Sequence, residues 1–207
     1  MMKSALQNSA PRSERWRQLC CAFILISSVG CAGEPPAGSP EALLAQLGRT
    51  VAATEGGNLH QHLSAKSQQA LVGLQAAQKK LVAALNRLPE SVQGSFLKRI
   101  PAPLQKLHDG PPELFAALCK AHLDTLRATP RDELLEGFRG KAIGAGDQQL
   151  LTTRSGARFR LLKEGNTWRV ANFDEPLQML RRWSEESLSA LEESHKELQR
   201  RRRLKLR

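Results

Sequence analysis

Several side chains in this 207-residue chain have the types and spacing for chemistry. Ser95-Phe96-Leu97-Lys98 places an amine one helical turn from a hydroxyl, an arrangement that can activate a serine for acyl transfer. The companion Ser-Asp-Asn and Lys-Thr-Gly segments of such sites occur nowhere in the chain, so the pair reads as chance spacing. His60-Gln61-His62 would offer two imidazoles to one metal only if extended, because residues two apart on an α-helix diverge by about 200°. No carboxylate or thiol lies close in sequence to complete a metal set, and exposed histidines at a helix entry are the expectation. His122 with Asp124 or Asp109 would make a base and its orienting acid only through a tertiary contact. Cys119 sits one turn from Phe115 and reads as a buried thiol, with pairing to another protein's Cys as the alternative. None of these sets assigns a catalytic residue, a metal or a cofactor.

The most specific chemistry is at Cys31. A basic leader ends at Arg17, the apolar stretch Leu19 to Ile26 follows, and small residues Ser27-Ser28-Val29-Gly30 lead to the Cys. Basic start, short apolar middle and small-residue exit describe a secretory signal peptide over residues 1–30. The apolar stretch falls short of the roughly 20 residues that a permanent span needs. Ser28-Val29-Gly30-Cys31 resembles the lipobox of bacterial lipoproteins, in which the peptidase cuts just before a Cys carrying a diacylglyceryl group. That resemblance implies Cys31 as the first residue of the mature protein and as its lipid attachment site. Ala32, where an Asp would signal retention, resembles the default for forwarding to the outer membrane of Gram-negative bacteria. Each buried methylene contributes about 0.8 kcal/mol, so several acyl chains would anchor the chain stably on the periplasmic side. Residues 31–40 hold Pro35, Pro36, Pro40, Gly33 and Gly38, a composition that makes a tether rather than helix or paired strand.

The formal charge of +11 suggests nucleic acid until it is divided along the chain. Lys3, Arg12, Arg15 and Arg17 against Glu14 belong to the leader. Lys196, Arg200, Arg201, Arg202, Arg203, Lys205 and Arg207 against Glu197 belong to the last twelve residues. What remains is nearly neutral, so no basic groove runs along the body, and a secretory address argues further against nucleic acid. The cationic end reads either as a solvated charge run or as a contact for an anionic lipid or cell-wall polymer. With 41% hydrophobic residues the chain can bury a core, and four Cys are too few for a disulfide scaffold.

The elements that must position these residues follow an α-then-β order. Ser39-Pro40-Glu41 opens a helix carrying Leu43, Leu44, Leu47 and Val51, stopped by Gly56-Gly57. Ser64 opens a second, with Leu71, Leu74, Leu81, Val82, Leu85 and Leu88 before Pro89. Residues 91–107 are interrupted by Pro101 and Pro103, and a third strong helix starts at Pro111-Pro112-Glu113. Thr129-Pro130-Arg131-Asp132 caps a short helix reaching Phe138. After Gly140 the period falls to two over residues 148–153, 158–163 and 168–173, separated by Gly-containing turns. Asp174 then caps a helix that nothing breaks before the chain ends, and its length beyond Leu191 is expected in solvent. The fold class is therefore α+β: N-terminal helices, an antiparallel meander of three to four strands, and a long C-terminal helix. The domain divides into residues 41–173 for the globular part and 174–207 for the helix with its basic tail.

Leu63-Ser64, Ser67 and Leu71 near the start, and Phe159 to Val170 closing on Trp168-Arg169-Val170, resemble small secreted NTF2-like lipoproteins. The resemblance implies helices packed on a curved sheet that forms a cone-shaped pocket. NTF2-like enzymes typically pair an acid or His inside the cone with a Tyr, and this chain has no Tyr. Three functions stay open. The first is a non-catalytic envelope lipoprotein that binds a small ligand or a protein partner through its tethered domain. The second is an enzyme with an NTF2-like pocket, and the third is a helical adaptor acting through its last helix.

Overall fold

The structure is a computed structural model, and it describes residues 35–53 and 56–205. Cys31 and the leader lie outside the described residues, as does Arg207. The residues before the first helix turn into it, with Ser39 N–H donating to the Pro36 carbonyl at 3.1 Å. Helix α1 spans Pro40–Ala52, and its start follows from three neighbouring residues. The Ser39 hydroxyl accepts from Ala42 N–H at 3.1 Å, and Pro40 presets the first-turn φ. Glu41, an acid near the helix's positive end, also accepts from Ala142 N–H at 2.9 Å and so ties α1 to the sheet.

A 3₁₀ segment, Gly56–His62, leads to α2 over Ala65–Asn86, capped by the Ser64 hydroxyl. Helix α3 (Glu90–Leu97) buries no residue fully, and a short 3₁₀ turn (Ala102–Leu104) follows where Pro101 and Pro103 interrupt. Helices α4 (Pro111–Ala128) and α5 (Arg131–Gly137) complete the first half. The capping expected of Thr129 does not occur. Pro130 holds the cap position without a side-chain bond, and the Thr129 hydroxyl donates back to the Thr125 carbonyl at 3.4 Å. A hydroxyl at the end of one helix finds the preceding turn's carbonyl sooner than the next helix's amides.

Strands β1 (Gly140–Ile143), β2 (Gln148–Thr153), β3 (Arg158–Glu164) and β4 (Thr167–Val170) form one antiparallel meander in sequence order. Leu151 pairs with Phe159 and Leu161 with Val170, and the period of two puts all four on the buried face with Trp168. The β3–β4 connection is Gly165-Asn166, with Gly165 at φ 61°, the left-handed conformation that such two-residue turns require. The last strand is shorter than the expected 168–173. Beyond Val170 one backbone bond remains, from Ala171 N–H to the Arg160 carbonyl at 2.8 Å, and a side chain then takes over: Asn172 Oδ1 accepts from Arg160 N–H at 2.6 Å, and its Nδ2 donates to the Arg158 carbonyl at 2.9 Å. Residues 171–173 thereby turn away from the sheet.

Helix α6 covers Asp174–Lys205, 32 residues, or about 48 Å at 1.5 Å per residue. It packs along α2, and both run in the same direction. Asp174 lies against Ser64 at the two N-termini, and a Cβ on Gly73 would come within 2.7 Å of the Arg181 guanidinium further along. Leu177, Leu180 and Leu191 are buried, with Trp183 and Leu188 half-buried. The exposure expected beyond Leu191 holds for Glu192, Glu193, Lys196 and Glu197 but not for Leu198, which also packs against the core. One apolar residue two turns after Leu191 keeps the helix against the body longer than its polar neighbours suggest.

The Asp174 carboxylate does more than open this helix. It accepts from the Ser64 hydroxyl, from the Ser67 hydroxyl at 2.6 Å, and from Arg160 Nη2 at 3.3 Å, while almost wholly buried. Beside it, Glu164 accepts from Ala65 N–H at 2.9 Å, so two carboxylates face the amide-rich start of α2.

Candidate functional site

Between α1, α4, the 3₁₀ segment and the sheet lies a pocket of about 60 Å³. Helix α4 presents Phe115, Cys119, His122 and Leu126 to it, a spacing of three to four that defines one helix face. Leu47 and Val51 of α1, one turn apart, form the opposite side. The sheet supplies Phe159 and Val170, and Phe138 and Phe173 close the ends. The wall is apolar apart from the edges of two imidazoles and one thiol.

His62 reaches the pocket because its segment is a 3₁₀ helix. Three residues per turn bring side chains three apart into line, and Leu59 and His62 both line the cavity. His60 is rotated off that line and is half-buried outside it. The expectation of exposed histidines is therefore corrected at His62, which retains only 6% exposure. Burial pushes its pKa below the ordinary value, and the Arg169 charge adds to the effect. The Arg169 guanidinium is held nearby by the Gln61 carbonyl. His122 is lowered by burial alone. His60 is lowered by burial and partly restored by Glu113. At neutral pH the two pocket imidazoles are thus uncharged, each with one donor and one acceptor nitrogen.

The other residues singled out by sequence lie apart from the pocket lining, Cys119 excepted. Asp109 and Asp124 are both exposed and neither lines the pocket beside His122. Ser95 and Lys98 are exposed on α3, where the Ser95 hydroxyl donates to the Val92 carbonyl at 2.7 Å. Cys119 is buried, as its place on α4 suggests. Among the described residues no group of three or more His, Cys, Asp or Glu could hold a metal ion. Nor is any described helix long and apolar enough to cross a membrane. At the far end of α6, Arg200, Arg201 and Arg203 are exposed, with Arg201 Nε 3.0 Å from Glu197. Arg202 lies within the same helix, and Lys205 is its last residue.

The pocket itself was not legible as a site, although Leu59-x-x-His62 carries the period of three that a 3₁₀ reading would have used. The Asp174 cluster joins residues more than a hundred positions apart, and no local pattern announces it. Comparison with known proteins finds no matching family model, no matching curated protein and no matching solved structure.

Proposed function

We propose that this chain is an envelope lipoprotein whose tethered α+β domain binds a small ligand. The observation that carries the reading is the pocket between α1, α4 and the sheet, built from apolar side chains with two neutral imidazoles. Supporting it is the Ser28-Val29-Gly30-Cys31 exit, which makes Cys31 the acylated first residue and residues 31–40 the tether of a domain on the outer membrane's periplasmic side. The basic end of α6, Arg200 to Arg203 with Lys205 and Arg207, supplies cations for an anionic lipid or cell-wall polymer. Each such charge near an anionic membrane contributes about 1 kcal/mol, enough to bias the domain's orientation once the lipid holds it. We further propose an NTF2-like arrangement, because helices here cover one face of an antiparallel sheet and leave a pocket against it.

Native mass spectrometry of the protein extracted from its own membranes tests the ligand reading. The expected result is a non-covalent small-molecule adduct that is absent from Leu123→Trp, whose indole would fill the pocket. The same spectrum from both proteins, with no adduct in either, would remove it.

A further inference from the structure

We infer that the outward face of the sheet rests on an anionic phospholipid bilayer, with Ile143 and Leu150 against the headgroups and Lys141, Arg158 and Arg169 beside them. The inference rests on the lipid-anchored reading above and adds which side of the domain meets the membrane.

The face follows from strand alternation. Leu151, Phe159, Leu161, Trp168 and Val170 are buried, so their neighbours along each strand point away from the core. The register sets these outward side chains in rows across the strands. Lys141 and Arg158 flank Thr152, Ile143 and Arg160 flank Leu150, and Leu162 stands beside Arg169. Ile143 is 66% exposed and Leu150 44%, so two apolar side chains lie next to each other in the open.

The near-neutral sum over the body conceals a local excess of positive charge here. Lys141 and Arg158 are exposed. Arg169 is held by the Gln61 carbonyl, which leaves its charge uncompensated, whereas Arg160 is paired with Asp174. Glu164 shares the face, but its carboxylate is turned to the Ala65 N–H at the start of α2. With the exposed Asp147 of the β1–β2 turn counted against the three cations, the excess remains positive. Cations beside an apolar pair match a surface that presents phosphate charges above hydrocarbon. Each cation close to such a surface favours contact by roughly fivefold.

The chain enters the domain on the same side of the fold. Pro40 opens α1, and the next residue, Glu41, accepts from Ala142 N–H in β1. The segment from Cys31 to Pro40 extends to no more than about 30 Å. An acyl group on Cys31 therefore keeps β1, the strand of Lys141 and Ile143, within reach of the bilayer.

The test is a lysine footprint of the intact protein, extracted from its membranes and reconstituted on phosphatidylglycerol or phosphatidylcholine vesicles. A water-soluble acylating reagent reports the rate at each lysine by mass spectrometry. Lys141 is expected to react about fivefold or more slowly on phosphatidylglycerol than on phosphatidylcholine, with Lys98 at the end of α3 reacting equally on both. Arg158→Glu changes the face by two charges, shifts the docked-to-free ratio by roughly 25-fold, and should restore most of the Lys141 rate while the lipid still holds the protein. Full protection of Lys141 in Arg158→Glu would overturn the role of the cationic face. Should that variant fail to fold, the comparison of the two vesicles with the unsubstituted protein decides. Equal Lys141 rates on both vesicles, with the protein attached, would overturn this inference and leave the lipid anchor standing. A protein that floats with neither vesicle would overturn both. Protection of Lys141 in intact envelopes but not on phosphatidylglycerol vesicles would assign the face to a protein or polymer and overturn the bilayer contact.

Discussion

Asp174 joins three elements through one carboxylate. Ser64 and Ser67 belong to the start of α2, Arg160 to β3, and Asp174 itself to the start of α6. Both serine hydroxyls donate to the same oxygen, so removing the carboxylate leaves two buried donors without their acceptor. Asp174→Ala is expected to lower the unfolding free energy by about 3 kcal/mol, and Ser67→Ala by about 1 kcal/mol, in urea titrations. A loss below about 1 kcal/mol for Asp174→Ala would show that the cluster contributes little. The histidines give a second expectation at this scale. His60, His62 and His122 have folded-state pKa values below the ordinary 6.5, so as pH falls the unfolded chain takes up protons first. Their contribution is level above that value and is lost progressively below it. Melting temperature should therefore be flat above about pH 7 and fall below about 6.5, with a shallower fall in His62→Gln. A melting curve that rises on acidification through this range would contradict the burial of these rings.

At the scale of elements, the strongest local constraint is the start of the sheet. A Cβ on Gly140 would lie 2.5 Å from Leu151 Cδ2 and 2.5 Å from the Thr152 carbonyl oxygen, and the second of these is backbone that cannot swing aside. Gly140→Ala is expected to cost about 2 kcal/mol, read as a shifted urea midpoint with unchanged slope. Gly165 and Gly140 also show why the meander could be anticipated from sequence: turns and close approaches demand particular residues, and those residues stand where the period changes. Helix starts at Ser39-Pro40 and Ser64 were legible for the same reason, since a capping hydroxyl acts within three residues. Thr129 was misread because its hydroxyl had a nearer acceptor in the preceding turn. His62 was misread because three residues per turn, rather than 3.6, decides which way it faces. Asp174 was read as a cap because the cap is local, whereas its hydroxyl partners come from α2, across the fold.

At the scale of the whole molecule, charge and apolar surface are segregated. The pocket lies between α1, α4, the 3₁₀ segment and the sheet, the core extends between α2 and α6, and cations concentrate at the far end of α6. The parallel packing of α2 and α6 carries that cationic end away from the Asp174 cluster by most of the length of α6. In the proposed function, where the domain is held depends on one sulfur, that of Cys31. The most direct measurement compares envelope fractions from cells producing the natural chain and Cys31→Ser, with intact masses of the recovered proteins. The natural chain is expected to begin at Cys31, to carry diacylglyceryl and acyl groups, and to resist salt extraction, while Cys31→Ser is expected to be released. An unmodified mass starting at another residue, or a Cys31→Ser protein held as firmly as the natural one, would contradict the lipid anchor.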